Sequence, residues 1–257
     1  MNVLALGDVV SSFGCSFLRA KLPGLKKFYG ADLCIVNGEN SADGNGITPA
    51  SADYLIYSGV DIITTGNHCF RHREVYDYLD ENRFVLRPCN YPQSAPGRGI
   101  VRYDAGAFQV GVVNLLGTVN MDNLENPFLA ADKAIEELSG CRFIIVDFHA
   151  EATSEKIALA NYLDGRASAV FGTHTHVRTA DERVLPGGTG YITDLGMCGA
   201  VDSVLGVKKD IIINKFLTNM PARFDTETQG ERMINGCLFE LDDSTGKCLK
   251  ATGFTVT

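Results

Sequence analysis

The sequence predicts a layered α/β fold in which a mixed β-sheet is covered by helices. The first observation is that short apolar runs alternate with helical patterns over the first two thirds of the 257 residues. The second is that two pairs of strand candidates are joined by turn residues, which predicts antiparallel hairpins in addition to parallel strands. The third is that no linker rich in Pro, Gly or Ser divides the chain. We therefore expect a single domain over residues 1–257.

The strand candidates are short runs of apolar and β-branched residues that end at Gly or polar residues. In chain order they are Val3–Leu6, Asp32–Val36, Val60–Thr64, Ile100–Tyr103, Phe108–Asn114, Arg142–Phe148, Ala167–Phe171, Tyr191–Asp194, Arg232–Leu241 and Lys247–Val256. The turn Asp104–Ala107 joins the fourth and fifth candidates into a hairpin, and the turn Asp242–Gly246 joins the last two.

The helical patterns lie between these strands. They cover Phe13–Tyr29, Pro49–Ser58, Glu74–Glu81, Pro127–Leu138, Ser154–Tyr162 and Ile211–Leu217. Thr48 is predicted to cap the second helix, because Pro49 stands at the first helical position and Gly59 follows the end. Pro23 predicts a kink or a break in the first helix, since proline removes an intrahelical hydrogen bond.

The composition is that of an ordinary globular protein with an acidic balance. Hydrophobic residues make up 45% of the chain and charged residues 21%, which are usual proportions. The net charge of −8 argues against a general nucleic-acid-binding protein, which would carry a basic face. We expect no stable nucleic-acid binding. We also expect no membrane segment, since no apolar stretch approaches about 20 residues.

The eight cysteines form no Cys-x-x-Cys pair. A chain of this length can bury enough apolar surface to fold without disulfides, so we interpret them as reduced thiols of a cytoplasmic protein. The start of the chain agrees with this interpretation. Met1–Leu6 has no basic region ahead of its apolar run, and it is predicted to be the first strand rather than a signal peptide.

Five segments place metal-binding residue types directly after predicted strands. They are Gly7-Asp8-Val9, Asn37-Gly38-Glu39-Asn40, Gly66-Asn67-His68, Asp147-Phe148-His149 and Gly172-Thr173-His174-Thr175-His176. Four of the five histidines of the chain lie in these segments. Functional residues of α/β proteins collect at the carboxyl ends of strands, and carboxylate, amide and imidazole groups bind divalent metals. The series therefore predicts two adjacent metal ions at one edge of a sheet.

Taken one at a time, several of these residues have simpler explanations. Asp8 suits a turn or a helix N-cap, Glu39 begins a polar turn, and His149 ends a buried strand. The strongest local signal is the pair His174 and His176. If that segment is extended, the two imidazoles lie on the same side, because alternate residues of a strand share a face.

Two residues that follow His68 are expected to lie outside the chemistry of the site. Cys69 is predicted to be a buried and unreactive thiol, with a reactive thiol as the alternative. His72 stands between two arginines at a predicted helix start, and we expect it to face solvent.

Together, the segments resemble the calcineurin-like metallophosphoesterase superfamily, whose sites use an Asp, a bridging carboxylate, Gly-Asn-His and Gly-His-x-His in that order. Over essentially its whole length, the chain is more closely similar to the YmdB-like family of bacterial cyclic-nucleotide phosphodiesterases. The stretches that carry this similarity are Leu6–Val10, Val36–Asn40, Gly66–His68, Asp147–Lys156, Asp164–Val177 and Tyr191–Met197. The resemblance implies a four-layer α/β/β/α sandwich of two mixed sheets flanked by helices.

Two positions depart from the wider superfamily and agree with the YmdB-like group. Val10 stands where the Asp-x-His pattern of the superfamily has its histidine, and the bridging carboxylate is Glu39 instead of an aspartate. By this resemblance, Asn40 takes the metal-ligand position that the histidine of the superfamily would occupy and that Val10 leaves vacant. A further difference separates the chain from the YmdB-like group itself. The residues Cys69–His72, which follow His68, differ from those expected for that group.

The resemblance also implies roles for eight residues. The ligands of one metal would be Asp8, Glu39, Asn40 and His176, and those of the second would be Glu39, Asn67, His149 and His174. A hydroxide that bridges the metals would attack the phosphorus in line, and His68 would protonate the leaving alkoxide. The implied cofactors are two divalent or mixed-valence ions, with Fe or Mn favoured and Zn as the alternative. The implied substrate is a small phosphodiester, and 2′,3′-cyclic nucleotides are the favoured class.

Two other functions stay open at the level of the sequence. One is a phosphomonoesterase that uses the same metal chemistry. The other is a non-catalytic, metal-containing scaffold with a regulatory role. The presence of His68 argues against a scaffold, because a structural metal site needs no general acid. A homo-oligomer is compatible with the sequence.

Overall fold

Thirteen strands and six helices make up the computed structural model, which describes residues 1–257. The strands are β1 (Asn2–Leu6), β2 (Asp8–Val9), β3 (Leu33–Asn37), β4 (Ile62–Thr64), β5 (Ile100–Asp104), β6 (Gln109–Leu116), β7 (Phe143–His149), β8 (Ala169–Thr173), β9 (Arg183–Val184), β10 (Gly190–Ile192), β11 (Met197–Ala200), β12 (Arg232–Leu241) and β13 (Cys248–Val256). The helices are α1 (Ser11–Tyr29), α2 (Pro49–Tyr57), α3 (Val75–Glu81), α4 (Pro127–Glu137), α5 (Thr153–Tyr162) and α6 (Lys209–Thr218).

The strands form two mixed sheets. The first has the order β2-β11-β12-β1-β3-β4, with β13 paired to β12, and the second has the order β5-β6-β7-β8-β10-β9. Neighbours β1, β3 and β4 are parallel, and so are β6, β7, β8 and β10. The predicted hairpins are the antiparallel pairs β5–β6 and β12–β13. In each sheet the parallel strands therefore end at one edge, which is where the sequence predicts the site.

Alternate residues of the central strands face different layers, as the period of two requires. In β1, Leu4 and Leu6 pack with buried residues of α1, α2 and α3. Val3 and Ala5 point the other way and pack against residues of the second sheet, such as Phe143. A third apolar cluster joins the opposite face of the second sheet to α4 and α5. The order of layers is therefore α/β/β/α, as the resemblance implies.

Helix α2 begins at the predicted residue, Pro49, and ends at Tyr57, one residue before the predicted end. The hydroxyl of Thr48 accepts a hydrogen bond from the backbone N–H of Ser51 at 3.2 Å, and Pro49 occupies the first turn. Gly59 follows the helix end with φ +102°, a left-handed conformation that glycine adopts without steric cost.

The structure excludes a break at Pro23 and contains three short strands, β2, β9 and β11, that the sequence did not predict. Helix α1 continues through Pro23 without a break. Because proline has no N–H, Pro23 leaves the carbonyl oxygen of Arg19 without its donor within the helix. Both residues are exposed, so this oxygen can bind water instead. Strand β11 was not predicted, because its four residues include Gly199 and carry no strand pattern. It forms because β2 and β12 pair with it on both sides, which shows that tertiary contacts override weak local preference.

All eight cysteines are free thiols, and six of them are buried, which agrees with the prediction of reduced cysteines. Among the six helices, none combines the length and the apolar character that crossing a lipid bilayer requires.

Candidate metal centre

Each predicted site segment lies where a strand ends at the shared edge of the two sheets. In the first sheet, Asp8 follows β1, Glu39 follows β3 and Asn67 follows β4. In the second sheet, His149 is the last residue of β7 and His174 follows β8. The structure brings all eight predicted residues into one connected network of polar contacts.

Glu39 lies at the centre of this network. Its side chain is 1% exposed, and its Oε1 lies 3.1 Å from His68 Nδ1 and 3.2 Å from His149 Nε2. Asn40 Nδ2 donates to the same oxygen at 3.3 Å, and the backbone N–H of His68 donates to Oε2 at 3.0 Å. Burial favours the protonated form, but the imidazoles of His149 and His68 hold the pKa of Glu39 well below its usual range. Glu39 is therefore a buried, ionised carboxylate.

Four ligand atoms from both sheets meet at His149. Its Nε2 lies 3.2 Å from Glu39 Oε1, 3.1 Å from Asn67 Oδ1 and 3.1 Å from His174 Nδ1. The ligand atoms of Glu39, His149 and His174 all lie within 4.8 Å of one another. Nitrogen atoms that bind one metal ion at about 2.0–2.1 Å are themselves about 3 Å apart, so the spacing suits ligation of a single cation.

Asp8, Asn40 and His176 form a second group of ligand atoms. Asp8 Oδ1 lies 3.6 Å from His176 Nε2, and Asn40 Nδ2 lies 3.3 Å from the same nitrogen. Although burial raises the pKa of Asp8, the contact with His176 lowers it below the ordinary value. Asp8 Oδ1 is buried and has no hydrogen-bond donor, which is costly for an ionised oxygen. A bound cation would satisfy this atom, so the residues fit a metal site.

Hydrogen bonds behind the histidines turn particular ring nitrogens toward the network. The hydroxyl of Thr173 donates to Asp147 Oδ1 at 2.7 Å, so it accepts from His149 Nδ1 at 2.9 Å. His176 Nδ1 donates to the carbonyl oxygen of Leu205 at 3.0 Å. In both histidines Nε2 is then left for the network. Histidines that bind metals are usually oriented by such outer hydrogen bonds.

Burial and neighbouring charges give the histidines different affinities for protons. Burial lowers the pKa of His149, but the Glu39 carboxylate outweighs it and raises the pKa to about 9. Burial and the charge on His149 lower the pKa of His174 to about 4. A proton on His149 therefore balances the charge of Glu39 in the metal-free protein. Metal ions bind deprotonated ligands and displace such protons.

His174 and His176 reach the network by a backbone path that the sequence did not predict. Strand β8 ends at Thr173, and the φ angles of the two histidines are +100° and +62°. The segment is therefore not extended, so the alternation of a strand does not explain why both imidazoles join the network. Positive φ costs of the order of 1–3 kcal/mol for residues with a side chain, and it persists mainly at functional sites.

Several supporting residues were missed at the level of the sequence. Asn37 Nδ2 donates to Thr173 Oγ1 at 3.3 Å, and Glu151 Oε2 lies 3.1 Å from His174 Nε2. Asp147 could have been found, because a carboxylate in an otherwise apolar strand, two residues before His149, must share the face of that histidine. The contact of Glu151 depends on the turn after β7, and no sequence pattern indicates it.

His72 and Cys69 lie outside the network. The prediction of a solvent-facing His72 was wrong, since its ring is half-buried and its Nε2 donates to the carbonyl oxygen of Asn45 at 2.9 Å. The left-handed turn at Asn45 (φ +80°) brings that oxygen within reach. The prediction for Cys69 is confirmed, because it is fully buried and burial raises the pKa of its thiol to about 12.

We expect Gly66→Ala to disrupt the centre, because a Cβ atom at Gly66 would lie far inside van der Waals contact with His149 and Glu39. Overpacking of this kind costs about 1–3 kcal/mol of unfolding free energy. The displaced ligands should also weaken binding of Mn²⁺. Urea unfolding and isothermal titration with Mn²⁺ measure the two effects. The matched control is Gly24→Ala, where nothing lies within 4 Å of the new Cβ, and unchanged Mn²⁺ affinity in Gly66→Ala would contradict the expectation.

Comparisons with known sequences identify relatives over nearly the whole chain. The family described as YmdB-like protein matches residues 4–253. A curated relative from Bacillus subtilis is named 2′,3′-cyclic-nucleotide 2′-phosphodiesterase. It is 46% identical over 97% of this chain and 95% of its own length.

Comparisons with solved structures identify the same fold. The crystal structure of a hypothetical protein from Thermus thermophilus has a TM-score of 0.93 and 41% identity, and the match covers 100% of this chain and 99% of that chain. The NAD nucleotidase of Haemophilus influenzae has a TM-score of 0.60 at 15% identity, over 99% of this chain and 55% of its own. This second likeness concerns the fold alone, and it agrees with the four-layer sandwich. From the match over residues 4–253 and the 46% identity, the chain belongs to the YmdB-like family.

Proposed function

We propose that the protein is a metal-dependent phosphodiesterase that hydrolyses 2′,3′-cyclic nucleotides. The observation that carries this proposal is the convergence of carboxylate, amide and imidazole groups from both sheets on the buried carboxylate of Glu39. The relative from Bacillus subtilis, at 46% identity, is named for this reaction. An anionic substrate is compatible with the acidic chain, because bound cations reverse the local field.

The proposed ligands fall into two sets that share Glu39. Those of the first ion are Asp8, Glu39, Asn40 and His176, and those of the second are Glu39, Asn67, His149 and His174. When bound, two adjacent cations supply Lewis acidity, which neutralises phosphate charge and lowers the pKa of an attacking water. Oxygen and nitrogen ligands favour Fe or Mn, with Zn as the alternative.

Asn40 links the proposed ligands to the proposed general acid. Its Oδ1 lies 3.1 Å from His68 Nδ1, and its Nδ2 lies 3.3 Å from His176 Nε2. Only the amide oxygen can bind a cation, so ligation requires that the amide of Asn40 turn over. This turn would leave Glu39 Oε1, 3.1 Å away, as the acceptor for the proton on His68 Nδ1. The second proton of the imidazolium form of His68 is then carried on Nε2.

His68 is the proposed general acid. Its side chain is 34% exposed, compared with 22% for His174, 12% for His176 and none for His149, so substrate can reach it. Its Nδ1 is held by the contact with Glu39, which leaves Nε2 for the leaving group. The water oxygen bonds to phosphorus as the bond from phosphorus to O2′ breaks. His68 gives its proton to O2′, and the product is a nucleoside 3′-phosphate.

We expect the protein loaded with Mn²⁺ or Fe²⁺ to convert 2′,3′-cyclic AMP to 3′-AMP, and to hydrolyse bis-p-nitrophenyl phosphate faster than p-nitrophenyl phosphate. Chromatography of the products and release of nitrophenolate measure these reactions, and a chelator should abolish both. A preference for the monoester would favour a phosphomonoesterase. A metal-loaded protein that hydrolyses no phosphodiester would contradict the proposal and favour a scaffold.

Replacing His68 by alanine should lower kcat for 2′,3′-cyclic AMP by about 100-fold to 10,000-fold, because a general acid contributes that much. The loss should be smaller for bis-p-nitrophenyl phosphate, since nitrophenolate leaves without a proton. The measurements are steady-state rates and the number of metal ions per chain, which should not change.

His72→Ala is the matched control, because it removes a nearby imidazole from outside the network, and its rates should be close to those of the wild type. Loss of a metal ion in His68→Ala would place His68 among the ligands, and an unchanged kcat would exclude it as the general acid.

A further inference from the structure

A buried ion pair lies behind the loop that carries His174 and His176. Lys156 in α5 and Asp194, two residues after β10, have side chains that are each 1% exposed, and Lys156 Nζ lies 2.7 Å from Asp194 Oδ2. Neither residue belongs to the proposed ligand set. Removing two charges from water is so unfavourable that apolar replacement of such pairs is often neutral or stabilising. Stability of the fold therefore explains this pair poorly.

Asp194 binds the backbone of the histidine loop. Its Oδ2 also accepts from the backbone N–H of Thr175 at 3.1 Å, and its Oδ1 accepts from the N–H of Gly196 at 2.8 Å. The backbone of Asp194 is bonded to Thr179 in both directions, since its N–H donates to Thr179 Oγ1 at 3.0 Å and its carbonyl oxygen accepts from the Thr179 N–H at 3.1 Å. One residue thus holds the loop at both Thr175 and Thr179.

Lys156 reaches Asp194 by passing over Gly172. A Cβ atom at Gly172 would overlap the backbone oxygen of Thr193 and would lie 2.9 Å from Lys156 Cδ, which is closer than such atoms pack. The glycine that opens the Gly-x-His-x-His segment therefore makes room first for the backbone at Thr193 and also for the stem of the lysine. The ammonium group in turn fixes the carboxylate that holds the loop.

The anchored N–H group belongs to the residue between the two histidines, both of which have positive φ. Such conformations persist only where surrounding contacts over-determine them. We propose that the Lys156–Asp194 pair is a positioning device that holds His174 and His176 where their ring nitrogens meet Glu39 and Asp8. This inference rests on the proposed metal site, and it makes Lys156 and Asp194 positioning residues that do not touch the substrate.

The test is the double variant Lys156→Met/Asp194→Asn, which removes both charges with little change of shape. Asparagine has one acceptor oxygen, so it cannot satisfy the N–H groups of both Thr175 and Gly196 as Asp194 does. We expect Mn²⁺ affinity to fall by about 10-fold to 100-fold, as for other residues that orient ligands. In the metal-free protein, hydrogen exchange of residues 174–179 should become faster, while the melting temperature stays within a few degrees.

The matched control is Lys26→Met/Asp61→Asn. Asp61 Oδ2 likewise accepts from a lysine, Lys26 Nζ at 2.8 Å, and from a backbone N–H, that of Cys34 at 2.7 Å. Asp61 lies at the amino end of β4, away from the site. This control should leave both Mn²⁺ affinity and exchange of residues 174–179 unchanged.

A second variant, Asp194→Glu, keeps the negative charge beside Lys156 but moves the carboxylate by the length of one methylene relative to the N–H of Thr175 that it anchors. This variant should also weaken Mn²⁺ binding. Wild-type affinity and wild-type exchange in either folded variant would overturn the inference. Loss of folding in both variants would overturn it as well, because the pair would then serve the fold. If the wild type binds no metal, the proposed function fails, whereas the exchange measurement still decides whether the pair holds the loop.

Discussion

The buried carboxylate of Glu39 sets the main constraint on this structure. It is ionised in the interior, and an ionised group there is stable only when donors or cations surround it. Its partners His68 and Asn40 come from the first sheet, and His149 comes from the second. The two sheets must therefore present their strand ends at the same place. The α/β/β/α packing meets this requirement, because the apolar cluster between the sheets fixes one against the other.

Around this carboxylate, several residues depart from the usual rules for backbone conformation, packing and hydrogen bonding. These departures serve the site more than the stability of the fold. His174 and His176 hold left-handed backbone conformations, and the position of Gly66 has no room for a side chain. Asp8 keeps a buried oxygen without a donor. Real proteins depart from such rules mostly at functional sites. The departures also explain why the Lys156–Asp194 pair is needed, since a strained loop must be held by contacts from outside it.

The sequence was sufficient to predict which polar residues the fold brings together, but not how some of them reach one another. Asp8 and Glu39 follow strands and His149 ends one, and strand ends converge by the geometry of parallel sheets. The path of His174 could not be predicted, because positive φ is uncommon for any residue other than glycine and the anchoring carboxylate lies 19 residues away from Thr175. Lys156 looked like an ordinary helix residue, since its partner is 38 residues further along the chain. Such contacts belong to the tertiary structure and leave no local pattern.

The most direct test of Glu39 as a shared ligand is a crystal structure of the protein loaded with Mn²⁺, with the ions located by anomalous scattering. We predict two ions about 3.5–4 Å apart, as in other two-metal sites. Glu39 should bind both of them, and His68 should bind neither. A single ion, or a pair of ions that does not share Glu39, would contradict the central claim.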